Sequence, residues 1–180
     1  MRLYRYVGPP ALLAAAPSDP AGTRIRNRTC LDDWLAKRTE AKLSEPVTYV
    51  VDRDRNLLLA PRQTEHVSCA GGDRVRAAGE LTLARGPDGW YAAAISNQST
   101  GYCPDVTSWP AVAAALDRAG LPHPDHFTEE ITFRRCPGCA EINLVKDGDF
   151  ACTFCAADLP AQWNVDTDDG VPPPHAEPVG

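Results

Sequence analysis

RRCPGCAEINLVKDGDFACTFCAADL, residues 134–159, contains two Cys-x-x-Cys pairs, Cys136/Cys139 and Cys152/Cys155, separated by twelve residues. Each pair can close a tight turn that aims two sulfurs at one point. A hairpin between the pairs brings both turns together, and four thiolates are what a tetrahedral zinc ion takes in a closed structural site. The residues between suit a hairpin. Glu141-Ile142-Asn143-Leu144-Val145 alternates polar and apolar like a half-buried strand, Asp147-Gly148 is a two-residue turn signal, and Phe150 to Phe154 leads back.

The stretch resembles a zinc ribbon, a likeness that covers about one-sixth of the chain. In ribbon knuckles a glycine commonly follows the second cysteine, where the backbone takes positive φ; here Ala140 and Ala156 stand there, so the turns are expected to be strained. Cys136, Cys139, Cys152 and Cys155 would saturate one Zn²⁺, leaving no position open for water. The expected role of the ion is structural.

Composition narrows the rest. The 43% hydrophobic content of the 180 residues supports a core, and no run is apolar and long enough for a membrane span. Arg2 and Arg5 followed by Ala11 to Ala16 imitate a signal peptide, but Gly8-Pro9-Pro10 interrupts it. Cys30, Cys69 and Cys103 form an odd remainder, which speaks against a disulfide framework and for a reducing, cytoplasmic setting. Residues 1–45 carry a charge of +3, residues 46–110 carry −1 and residues 111–180 carry −8, for a net −6. The ribbon therefore lies in acidic sequence and lacks the basic face that nucleic-acid binding needs, so Arg134, Arg135 and Lys146 read as offsetting an anionic tetrathiolate.

The remaining pattern is α+β: an antiparallel sheet with two to three helices, plus the C-terminal ribbon. Leu3 to Val7 reads as a short opening strand, and Pro10 can begin a helix. A helix capped by Thr29 should run to Leu43 and stop before Pro46. Val47–Val51, Leu57–Leu59, Arg74–Ala84 and Trp90–Ile95 read as one meandering sheet, with Gly79 marking a bulge or a close backbone approach. Ser108 and Gly120 bracket another helix. The boundaries expected are 1–128 for the α+β domain, with a β-rich module over 47–104, 129–163 for the ribbon, and 164–180 for a disordered acidic, proline-rich tail.

A second cluster lies in the sheet loops: His66, Cys69 and Glu80, with Asn97, Ser99, Tyr102 and Cys103. His66, Cys69 and Cys103 have spacing compatible with a second metal. Alternatively, Cys69 or Cys103 is a nucleophile activated by His66 and oriented by Asn97 or Glu80. A third reading is a ligand pocket with Asn97, Ser99 and Tyr102 as polar contacts. The fourth is structural, with buried thiols and polar side chains that satisfy loop amides.

The order Ala70-Gly71-Gly72, Ala78-Gly79-Glu80, Ile95 to Tyr102 also resembles the AGG…AGE…SGHY module of bacterial polymorphic-toxin-type proteins and plant calmodulin-binding IQ-motif proteins, over residues 56–104. The resemblance implies a compact β-rich module. Thr100-Gly101-Tyr102 replaces Gly-His-Tyr, and no IQ-type basic helix is present, so calmodulin binding does not carry over. Two functions follow as expectations. One is a zinc-binding, non-catalytic accessory or adaptor that contacts another protein through its ribbon and sheet loops. The other is a toxin- or effector-related enzyme using His66, Cys69, Glu80 and Cys103.

Overall fold

Side chains that close backbone hydrogen bonds set the first boundaries in the computed structural model, which describes residues 2–166. The expected opening strand is a single bridge, Tyr4 exchanging both backbone bonds with Val75. Helix α1 (Pro10–Ala14) starts at its proline, and strand β1 (Thr23–Ile25) follows. Helix α2 (Arg28–Ala36) is capped by Asn27, whose side chain accepts from the Cys30 N–H; Thr29, the expected cap, lies in the first turn.

Nor does this helix reach Leu43. The Arg38 guanidinium donates to the Trp34 carbonyl at 2.7 Å, and the Arg38 N–H turns instead to Leu35 at 3.0 Å. Thr39 is extended and opens a separate short helix, α3 (Glu40–Leu43).

The strands fall where the alternation put them: β2 (Val47–Asp52), β3 (Leu57–Ala60), β4 (Val75–Gly86) and β5 (Gly89–Ile95). Their order is not a meander. The sheet runs β1-β3-β2-β4-β5, antiparallel throughout, because the chain after β3 passes through helix α4 (His66–Cys69) and returns to the far edge of β2. Strand β1, too short to show a period, was not legible in the sequence. One face of the sheet presents Tyr49, Val51, Leu57 and Leu59 to a core shared with α2 and with helix α5 (Trp109–Ala119). The opposite face buries Val50 and Leu58 completely, and α4 packs against β2 and β3. At the end of α5, Gly120 takes φ 66° and Leu121 donates back to Leu116 at 3.1 Å, the left-handed cap expected there.

The class is α+β as expected; of the five α-helices among the described residues, α2 and α5 are the long ones. The described residues divide into two compact units that meet between Thr132 and Phe133, the second reaching 166. Residues 129–131 belong to the first, since Glu129 donates to the Ile95 carbonyl and Ile131 to the Asn97 side chain. The second unit contains strand β7 (Ile142–Val145) paired with β6 (Thr132–Arg135). It runs past Trp163: Asn164 exchanges two hydrogen bonds with the Arg135 backbone, so the expected tail does not begin at 164, and from 167 on it lies outside the described residues. No helix among the described residues is long and apolar enough to cross a membrane.

Candidate metal centre

Two equivalent turns build the centre. In the first, Ala140 donates to the Cys136 carbonyl at 2.9 Å and Cys136 to the Glu141 carbonyl at 2.9 Å. In the second, Ala156 donates to Cys152 at 2.9 Å and Cys152 to Ala157 at 2.8 Å. Between them, Asp147 and Gly148 have φ of 52° and 72°, the two positive values that a tight hairpin turn requires, and Asp149 closes it onto Lys146 at 2.8 Å.

The four sulfurs all lie within 4.8 Å of one another, with Cys136–Cys155 and Cys139–Cys152 each at 3.6 Å. That is close enough for four ligands of one metal ion. Backbone N–H groups point at the sulfurs: Gly138 to Cys136 at 3.3 Å, Phe154 to Cys152 at 3.4 Å, Glu141 to Cys139 and Ala157 to Cys155. Such donors favour thiolate, the ligand form. Burial would raise the Cys152 thiol, but the Phe154 and Cys155 N–H groups and the neighbouring thiols bring it down to about 6. Cys139 moves oppositely, to about 12: the Glu141 N–H lowers it, but burial and the other three sulfurs outweigh that.

One contributor escaped the sequence reading. Asn143 is buried, donates to Cys152 Sγ at 3.5 Å, and accepts from the Thr153 N–H at 2.9 Å and hydroxyl at 3.0 Å. In a strand that alternates polar and apolar from Glu141 on, the buried face would be expected to carry Ile142 and Leu144. Instead the polar residue faces inward and ties β7 to the second turn through the Cys152 sulfur and Thr153, while Leu144 is 41% exposed. Arg134 and Arg135 also do more than offset charge. Arg134 donates to the Pro160 and Ala161 carbonyls and Arg135 to those of Ala140 and Val165, fastening the segments around the centre.

Comparison with known proteins gives no relative to lean on. No family model, curated protein or solved structure matches the chain.

Ala140 and Ala156 sit at φ 63° and 59°, the left-handed region that the position after each second cysteine imposes. Left-handed backbone at a residue with a Cβ costs about 1 kcal/mol. The double substitution Ala140→Gly, Ala156→Gly is therefore expected to stabilise the second unit by about 1 kcal/mol or somewhat more. It should appear as slower unfolding of that unit in denaturant; faster unfolding would contradict the assignment of strain.

The loop residues singled out in the sheet are placed differently. His66 Nε2 bonds the Gly79 carbonyl at 2.9 Å. Cys69 is fully buried, and burial pushes its thiol up to about 12, away from the thiolate that a nucleophile needs. The Cys103 thiol donates to the Thr100 carbonyl at 3.2 Å, and its backbone N–H to Ser99 at 2.6 Å. Tyr102 donates its hydroxyl to Asp73 at 2.7 Å and packs edge-on against Tyr6. Glu80 is near enough to His66 to raise its pKa, and the Glu80 backbone pairs with Ser96. Among the described residues, three or more metal-ligating side chains converge at the four cysteines alone.

Asn97 shows what this cluster does. It is fully buried, donates to Pro104 at 2.9 Å and to Ile131 at 2.8 Å, and accepts from the Ile131 N–H at 2.7 Å. Asn97→Ala leaves three main-chain groups without partners and should cost about 2–3 kcal/mol in urea unfolding. A loss under about 0.5 kcal/mol, the scale of an ordinary surface change, would contradict this role.

His66 makes stability pH-dependent. Burial lowers its pKa from 6.5, against the opposing pull of the Gly79 bond and of Glu80 and Glu65. The folded imidazole therefore stays neutral where the unfolded one is protonated. Its contribution is complete above pH 6.5 and is lost as pH falls from there toward the lower folded value. Urea midpoints at pH 7.5 and 5.5 should differ less in His66→Gln than in the wild type; an equal difference would show that another group carries the effect.

Proposed function

We propose that residues 133–166 form a zinc ribbon with one structural Zn²⁺, and that the chain is a non-catalytic accessory protein that uses this unit to contact another protein. The observation that carries the metal is the sulfur geometry. A tetrahedron with Zn–S arms of ~2.3 Å has edges of about 3.8 Å; two of the sulfur pairs lie 3.6 Å apart, beside that value, and all four sulfurs lie within 4.8 Å of one another. An all-sulfur set favours zinc over the hard cations. Four cysteine ligands leave no place for water or substrate, so the ion organises the unit rather than performing chemistry.

Support for a protein partner comes from the surface that the centre holds in place. Phe154 is 65% exposed and Leu144 41%, on adjoining parts of one shallow depression also lined by Ile142 and Ala151. Large exposed apolar side chains on so small a unit suit protein contact. Elemental analysis of untagged protein should find one zinc per chain, lost in Cys136→Ser. Affinity capture with the wild type against Phe154→Ser should then recover a protein that the variant does not; identical recovery would remove the contact role while leaving the metal reading intact.

A further inference from the structure

A cavity of about 690 Å³ opens in the first unit beside α2, β1 and the ends of β2 and β3. That volume lies within the ordinary range for small-molecule sites, roughly 300–1,000 Å³. In a chain of net charge −6, its lining is basic. Five cations, Arg24, Lys37, Arg38, Lys42 and Arg62, stand against two carboxylates, Asp33 and Glu45. Internal pairing absorbs part of this: Arg24 lies 3.5 Å from Asp52, and Lys42 lies 3.9 Å from Glu45. What remains is Lys37, Arg38 and Arg62 against Asp33, a surplus of two positive charges. Among the described residues, neither Lys37 nor Arg62 forms an ion pair.

The wall has a second, independent property. Trp34 lines the cavity and is 98% buried, at 2% relative exposure, yet its indole Nε1–H has no hydrogen-bond partner. A buried donor left unmatched is costly and uncommon. The Arg38 guanidinium lies over the Trp34 ring, 3.6 Å from its centre, so a planar cation covers that face of the indole and itself lines the cavity. Pro46, Val47 and Pro61 add apolar surface. The cationic surplus and the planar Arg38 guanidinium beside apolar surface call for a ligand with a doubly charged acceptor group and a flat ring.

We propose that this cavity binds a small phosphomonoester carrying a planar ring, of the size of a nucleoside monophosphate. Phosphate takes two charges to match the surplus and offers oxygens to the Arg and Lys donors. The planar ring lies against the Arg38 guanidinium, whose other side rests on Trp34. Whether the second unit holds zinc does not enter, so the two readings fail separately.

The test follows the four tryptophan indole N–H resonances of the full chain by NMR, with Trp34 assigned through Trp34→Phe. Probes are adenosine 5′-monophosphate, phenyl phosphate, inorganic phosphate and uncharged adenosine. Both phosphomonoesters should move the Trp34 resonance, with a dissociation constant of about 1 mM or tighter. Inorganic phosphate and adenosine should bind at least about tenfold more weakly. Lys37→Gln with Arg62→Gln, both at exposed positions, should weaken the phosphomonoesters about tenfold or more without changing the unfolding midpoint. A Trp34 resonance unmoved by both phosphomonoesters, equal affinity in the double variant, adenosine binding as tightly as its monophosphate, or inorganic phosphate doing so (an adventitious ion only) would each overturn the proposal.

Discussion

Replacing Cys136 by Ser, or exposing the protein to a strong chelator, is expected to unfold residues 133–166 while the five-stranded sheet persists. The core of the second unit is small: Cys136, Cys152 and Leu159 are buried, with Cys139, Val145, Phe150 and Ala157 around them. Three of the buried or partly buried members are cysteines of the candidate centre itself. A unit with fewer than about 40 residues rarely folds on apolar burial alone and needs a metal or disulfides, and all seven cysteines here are free. Zinc binding to such units is worth about 10 kcal/mol or more, which is folding free energy because the site does not exist in the unfolded chain. The first unit draws on a separate core that includes Trp34, Tyr49, Leu59, Leu81 and Leu116. Amide hydrogen exchange separates the cases. Protection should vanish over 133–166 and remain over 47–95; loss across the whole chain would mean one cooperative block, and no loss would mean that the ion does not hold the unit.

Gly79→Ala carries the second-largest expected effect. A Cβ at Gly79 would lie 2.0 Å from the Ser96 carbonyl oxygen, 2.9 Å from its carbon and 3.0 Å from the Tyr49 ring. None of these can yield cheaply. Gly79 pairs with Tyr49 across β2 and β4, and the buried Tyr49 hydroxyl donates to that same Ser96 oxygen at 2.8 Å. Ser96 in turn accepts from and donates to the Glu80 backbone region, through its hydroxyl at 3.4 Å and its N–H at 3.0 Å. Making room for one methyl group therefore means separating β4 from the segment after β5 and breaking several bonds together. We expect a loss of about 4 kcal/mol or more, a large fraction of the 5–15 kcal/mol that holds a domain together. A denaturant midpoint shifted by less than about 1 kcal/mol would show that the backbone there is not tight.

The glycine was legible in the sequence as a close approach, and for a plain reason: a residue without a side chain inside a twelve-residue strand pattern has few other uses. The cysteine spacing and the Asp147-Gly148 turn were legible for similar local reasons, since each depends on neighbours in the chain. Strand order was not. That β4 returns to β2 rather than β3 depends on which edges pair, and alternation within a strand carries no record of its partner. Asn27 displaced Thr29 as a cap because both are good N-cap residues two positions apart, and Arg38 ended the helix through a side-chain bond that no propensity encodes.

The loop cluster teaches the same lesson for function. His66, Asn97, Ser99 and Tyr102 come close in sequence to the composition of a site, but Asn97 and Tyr102 reach carbonyls at Ile131 and Asp73, 34 and 29 residues away, and Asn97 a third at Pro104. A polar side chain that serves a distant backbone cannot be told from a ligand contact by its residue type. Asn143 is the converse: it looked like the outer face of a strand and turned inward to a sulfur.

X-ray absorption at the metal edge of the untagged protein tests the central claim most directly. The account predicts zinc surrounded by four sulfur atoms at ~2.3 Å with no oxygen or nitrogen neighbour. A shell with a water or imidazole ligand, or a protein that carries no stoichiometric metal, would contradict it.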